Sequence, residues 1–177
     1  VSSSGTALTI DQINIIRRLT KNVTMLFDSD NAGLNATIRS IDMILSEGMN
    51  VSICLFPENE DPDSFAKNKN TEEIKTYLHD NATDFIEFKA KSLNNSSRNS
   101  AVEKAQVVND IVSSISKIPD RIKQEIYIKQ CSDMLEITEN TLFNALAQLN
   151  QITKVNRNIS RNKTEIDIPK KTDQIFK

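Results

Sequence analysis

Four aspartates in two short motifs carry the chemical possibilities of this chain. Asp28 and Asp30 sit in DSDNAG (28–33), and Asp61 and Asp63 sit in EDPDSF (60–65) about thirty residues later. Val23, Met25, Leu26 and Phe27 precede the first motif as an apolar run rich in strand formers, the pattern of a buried strand in an α/β sheet. If the backbone stays extended past Phe27, period-two alternation sends both carboxylates of the first pair to one side. Two carboxylates a few Å apart repel each other unless something positive lies between them. A hard divalent cation, for which Asp oxygens are preferred ligands, meets that need. Gly33 lets the backbone turn and lets a phosphate approach with no Cβ in the way. The competing reading of DSDNAG alone is a solvated, Asx-capped strand-to-helix turn. The second acidic pair shifts the balance towards a metal site.

The elements needed to position these motifs are legible. Thr9 and Gln12 have capping-box spacing, and Leu8 and Ile13 occupy the positions of a hydrophobic staple, so a helix is predicted from there to about Lys21. The strand Val23–Phe27 and the acidic turn follow. Leu34, Ile38, Ile41, Ile44 and Leu45 recur at helical spacing over a second helix, about Gly33–Glu47, which Gly48 stops. Val51–Phe56 reads as another buried strand. This βα alternation predicts a parallel sheet flanked by helices, with both acidic pairs opening on the same edge.

Beyond the second motif the pattern turns helical. Thr71 reads as the N-cap of a short helix ending near His79, and a helix is predicted over Ala82–Leu93 with Phe85, Ile86 and Phe88 inward. NNSSRNS (94–100) is the best internal boundary. Helices over 102–118, 122–134 and 139–152, the last capped by Thr138 with an Ile137–Leu142 staple, predict an all-α helical bundle. From residue 154 apolar density falls and a flexible basic linker is expected. The predicted units are therefore 1–93, 94–153 and 154–177.

Bulk properties narrow the function classes. The chain has 177 residues and no apolar run near the ~20 that a membrane span needs. Two isolated cysteines, Cys54 and Cys131, fit a reducing, cytoplasmic compartment better than a disulfide framework. Residues 154–177 hold seven Lys/Arg and three Asp/Glu, a local +4, which leaves 15 Lys/Arg and 21 Asp/Glu in residues 1–153, a local −6. That is a poor footprint for gripping nucleic acid unaided, so most basic surface of any nucleic-acid enzyme would lie outside this chain. The chain starts with Val, and it is read as a piece of something longer.

Alternative motifs fall away on inspection. An EF-hand loop begins as D-x-D-x-x-G, but here its fifth position is Ala32 and its twelfth is Arg39. The aspartate-nucleophile phosphatases of the haloacid dehalogenase type want Thr where Ala32 stands. His79 has no metal-binding neighbour and reads as surface. Phe85 and Phe88 read as core rather than a base-stacking surface, and the basic tail as a linker rather than a nucleic-acid arm. No Walker loop, GxSxG elbow, CxxC pair or dinucleotide fingerprint occurs.

SGTALT (4–9), LFDSDNAG (26–33) and LFPENEDPDSF (55–65), in this order and spacing, resemble the Toprim region of bacterial DNA primases of the DnaG type, as does YLHDNATDFIEF (77–88) with the helices behind it. The resemblance covers about residues 1–152. It implies the fold of a partial Toprim sheet followed by a helical bundle. It also implies an enzyme, a DNA-directed RNA polymerase of the primase type, that makes short RNA primers on a single-stranded DNA template. The substrates would be ribonucleoside triphosphates and the cofactor Mg²⁺ or Mn²⁺, with zinc only in a separate amino-terminal domain. By the same resemblance Asp28 and Asp30 are catalytic, Asp28, Asp30, Asp61 and Asp63 bind metal, and Gly5, Thr6, Ala7 and Gly33 lie near the nucleotide. Ser29 stands where the family usually has Gly. The family's Glu on an earlier strand, its zinc-binding domain, the basic half of its polymerase domain and its carboxyl-terminal helicase-binding domain are expected outside this chain. The replicative helicase would therefore be met elsewhere, and this fragment alone would be inactive. Two alternatives stand beside this reading: another Toprim enzyme, a nuclease or topoisomerase, and a non-catalytic metal-binding module.

Overall fold

The structure, a computed structural model, describes residues 8–27, 31–57, 62–94 and 100–164. Helix α1 (Ile10–Leu19) starts as its sequence dictates: the Thr9 side chain accepts from the Gln12 amide while the Gln12 side chain accepts from that of Thr9. Strand β1 (Asn22–Phe27), helix α2 (Asn31–Ser46) and strand β2 (Asn50–Leu55) follow. Between α2 and β2, Gly48 takes φ +73°, the left-handed stop that only glycine enters without strain.

β1 and β2 pair in parallel, in register from Asn22 opposite Asn50 to Phe27 opposite Leu55. After β2 the structure departs from the sequence reading. The helix α3 (Pro62–Asn68) opens the region after β2, with proline at a first helical position, where its fixed φ suits a helix and its missing N–H costs nothing. The stretch expected to be wholly helical from Ala82 instead begins as a two-residue strand, β3 (Thr83–Asp84), antiparallel to β2 at Ser52 and Ile53. The β-branched Thr83 fits a pleated surface, and its hydroxyl donates to the Ile53 carbonyl at 3.3 Å. The sheet of the described residues is thus mixed, in the order β1-β2-β3.

Helix α4 (Thr71–Asn81) is capped by Asn70, one residue earlier than expected. Asn70 wins over Thr71 because Glu73 stands at capping-box distance from it, and its side chain accepts from the amides of Glu72 and Glu73. After β3 come α5 (Phe85–Asn94), α6 (Ala101–Ser116), α7 (Arg121–Leu135) and α8 (Glu139–Thr164). Helix α8 runs past residue 153, where the sequence reading starts a linker, because helical hydrogen bonds need no apolar stripe to continue locally.

One hydrophobic cluster joins the sheet to the bundle. Ile13 of α1, Ile41, Ile44 and Leu45 of α2, and Val51 and Ile53 of β2 meet Phe85 and Ile86 of α5. The same cluster continues through Ile111, Val112 and Ile115 of α6, Ile128 and Cys131 of α7, and Leu142 and Leu146 of α8. Phe85 and Phe88 are buried, as expected of core residues, and both cysteines are buried and free. Leu26 of β1 and the α1 residues Ile10, Ile15 and Leu19 are exposed.

Two polar ties cross from the sheet and α2 to the bundle. Lys89 of α5, buried at 5% exposure, donates to Ser114 Oγ at 2.5 Å and to the Asp110 carbonyl at 3.3 Å. Ser114 donates in turn to Asp42 of α2, and Lys117 pairs with the other Asp42 oxygen. Burial pulls the Lys89 ammonium below the usual lysine range, and Asp42 opposes that shift. The second tie runs from Lys123 Nζ to Asn50 at 2.9 Å and on from Asn50 to Asn22 at 2.6 Å.

The first tie sets a directional prediction. Asp42→Ala leaves the Lys89 charge buried without its carboxylate and should cost about 3 kcal/mol in chemical denaturation, whereas Lys89→Met, which removes the buried charge, should cost clearly less. Tyr127 of α7 supplies a second one. It lies edge-on to Phe85 at 5.0 Å, and burial, reinforced by Asp84, pushes its hydroxyl up to about 12. A folded-state value above the unfolded one contributes stability below about pH 10 that is lost as pH rises through about 12. Stability measured across that window should fall in the native protein and fall less in Tyr127→Phe.

Candidate functional site

The site is built on the carboxyl ends of two parallel strands. Phe27 and Leu55 are register partners at the last paired positions of β1 and β2. The chain that leaves each strand therefore emerges at the same sheet edge, where α/β sheets place their ligand crevices. Asp28 follows Phe27 directly, and α2 begins at Asn31. On the β2 side the chain re-enters a helix at Pro62, which puts Asp63 in the first turn of α3.

The expected site residues divide accordingly. Asp28, Asp30, Asp61, Gly5, Thr6 and Ala7 lie outside the described residues. Gly33 falls in the first turn of α2. Asp63 is exposed and pairs with Lys67 one turn later on α3 at 2.5 Å. An exposed pair of this kind adds little to stability and leaves the carboxylate available to another cation. Among the described residues no group of three or more His, Cys, Asp or Glu could by itself hold a metal ion. Asp63, the one expected ligand among the described residues, offers the hard carboxylate oxygen that Mg²⁺ and Mn²⁺ take.

Sequence reasoning passed over the residues that hold α3 in place. Phe56, directly after β2, Phe65 of α3 and Tyr77 of α4 form an aromatic cluster, with ring centroids 5.1 Å apart for Phe56–Phe65 and 4.7 Å for Phe65–Tyr77. The Tyr77 hydroxyl donates to the carbonyl of Leu55, the last β2 residue, at 2.9 Å. Lys69 stands 5.5 Å from the centre of the Phe65 ring. The signal was three aromatics flanking the second acidic motif, which helical periodicity alone does not connect. His79 is exposed and hydrogen-bonded only to its neighbour Asp80 among the contacts described for it, in line with a surface role.

Residues 1–66, which include β1 and β2, match the family described as Toprim-like. Residues 92–140 match the family described as the DnaB-helicase binding domain of primase. The sequence reading expects the helicase contact outside the chain, whereas this match falls on α6 and α7. A DNA primase of Clostridium acetobutylicum is 32% identical over 166 residues, 89% of this chain and 27% of the relative. A DNA primase domain from Pseudomonas aeruginosa matches with a TM-score of 0.66 at 21% identity, over 81% of this chain and 46% of that one. The Aquifex aeolicus primase, in a structure of its zinc-binding and RNA polymerase domains, matches with a TM-score of 0.62 at 26% identity, over 78% of this chain and 32% of that one. A DnaG primase catalytic domain bound to single-stranded DNA matches with a TM-score of 0.62 at 22% identity, over 74% of this chain and 43% of that one. The chain belongs to the bacterial DNA primases of the DnaG type. It spans about a quarter of the length of the curated relatives it matches.

Proposed function

We propose that this chain carries the acidic half of a primase polymerising centre, which makes short RNA primers on single-stranded DNA by nucleotidyl transfer from ribonucleoside triphosphates. The observation that carries the reading is the parallel register of β1 and β2, which brings the chain entering both acidic motifs out at one edge. Asp28, Asp30, Asp61 and Asp63 would hold Mg²⁺ or Mn²⁺, with Asp28 and Asp30 nearest the reacting groups. When bound, such a cation positions the triphosphate, lowers the pKa of the attacking 3′-hydroxyl and neutralises the departing pyrophosphate. Gly33 keeps the turn after the first pair free of a Cβ, and Gly5, Thr6 and Ala7 would line the nucleotide's approach.

The local charge of −6 over residues 1–153 supports a division of labour, with the basic template-gripping surface supplied elsewhere in the enzyme. The exposed apolar residues Ile15 and Leu19 of α1 and Leu26 of β1 support the same view, since further chain would cover them. The isolated 177 residues are accordingly inactive. Within them, 1–93 serve catalysis, the bundle over 94–153 faces the replicative helicase, and 154–177 act as a basic connector. The work is done at the replication fork in the bacterial cytoplasm. Among the described residues no helix is long and apolar enough to cross a membrane.

The test is primer synthesis by the complete enzyme on single-stranded DNA with ribonucleotides and Mg²⁺ or Mn²⁺. Asp28→Ala and Asp30→Ala should each lower synthesis by at least ~10²-fold, since each removes a direct metal ligand, and leave the fold intact. Full activity in both variants, or nicked DNA in place of RNA, would overturn the assignment.

A further inference from the structure

Asp63 belongs to a helix that has little of its own to hold it. α3 is seven residues long, well below the length at which an isolated helix is stable in water. The Asp63 side chain is exposed, and its ion pair is with Lys67 of the same helix, so that pair fixes nothing relative to the sheet. What ties α3 to the sheet is Phe65, two residues beyond Asp63 and 2% exposed.

Phe65 is gripped from three directions. Phe56 continues directly from β2 and meets it at 5.1 Å between centroids with the rings tilted by 59°. Tyr77 meets it from α4 at 4.7 Å and lies nearly parallel to Phe56, at 9° and 6.2 Å. Lys69 approaches the Phe65 ring at 5.5 Å. Tyr77 also donates its hydroxyl hydrogen to the Leu55 carbonyl at 2.9 Å. Leu55 is the β2 residue opposite Phe27, the last residue of β1 before the first acidic motif. The three rings thus connect the end of β2, α3 and α4 at the edge where the acidic motifs emerge. Phe56 and Phe65 are buried yet stand outside the main hydrophobic cluster, so this satellite contributes to the edge rather than to the central core.

We propose that Tyr77, with Phe56 and Phe65, is a positioning residue for the second acidic motif. By fixing α3 against the end of β2 it sets the affinity of the carboxylate site for its divalent cation. The inference rests on the metal-site reading of Asp63 given above. Residues behind metal ligands act by orientation, and their loss typically weakens metal binding by about 10–100-fold. Tyr77→Phe removes the hydroxyl that donates to Leu55 and keeps the ring, and Tyr77→Leu removes the ring contacts as well, so the two should grade the effect.

The experiment uses the complete primase and Mn²⁺ alone as probe, titrated with free Mn²⁺ followed by electron paramagnetic resonance, and with melting of the metal-free proteins recorded in parallel. Tyr77→Leu should weaken Mn²⁺ binding by about tenfold, and Tyr77→Phe by a smaller factor in the same direction, with Asp63→Asn as the reference for loss of the ligand. Tyr77 variants that melt lower but bind Mn²⁺ as the native protein does, while Asp63→Asn weakens binding, would overturn the inference and leave the site reading standing. Native Mn²⁺ affinity in Asp63→Asn would remove Asp63 from the site, and the inference with it.

Discussion

Parallel pairing of β1 with β2 over six residues fixes what this chain can do, because it decides where two separate stretches of aspartate come out. Side chains alternate faces along a strand, so a slip of one residue would turn the buried Val51 and Ile53 outward. The apolar faces of α2 and α5 packed on β2 oppose such a slip. With the register held, Phe27 and Leu55 end together. Under the proposed function, repulsion between the acidic groups of the two motifs would be the reason for a cation rather than a defect of the fold.

The rest of the structure keeps that edge in place from behind. Asp42 sits on the helix that starts beside the first acidic motif, and it is bound to Ser114 of α6 and to Lys117 at that helix's carboxyl end, and faces the buried Lys89 of α5. Asn50, at the opposite end of β2, is bound to Lys123 of α7. Apolar packing alone is non-directional. These polar contacts add direction, because each donor must meet its own acceptor. A region matching a helicase-binding family is thereby joined by specific hydrogen bonds to the helix and strand that lead to the acidic edge.

Much of this was legible in the sequence because the signals are local. Thr9 and Gln12 announced α1, Gly48 its left-handed stop after α2, and the apolar runs at 23–27 and 51–56 the two parallel strands. What escaped depends on partners distant along the chain. Thr83 and Asp84 pair with Ser52 and Ile53 about thirty residues away, and nothing nearby separates them from the helix that follows. Helix α3 is too short to show a period, and the anchor for it, Tyr77, stands in the next helix. Of the acidic motif residues themselves only Asp63 is among those described, so the site rests on strand register and motif chemistry together.

The proposed function requires both acidic motifs to meet on the same cation site at this sheet edge. Anomalous diffraction from crystals of the complete primase soaked in Mn²⁺ tests it most directly. The account predicts anomalous density at the carboxyl ends of β1 and β2, within ligand distance of carboxylates from both the 28–30 and the 61–63 motifs. Density bound to one motif alone, or at neither, would contradict it.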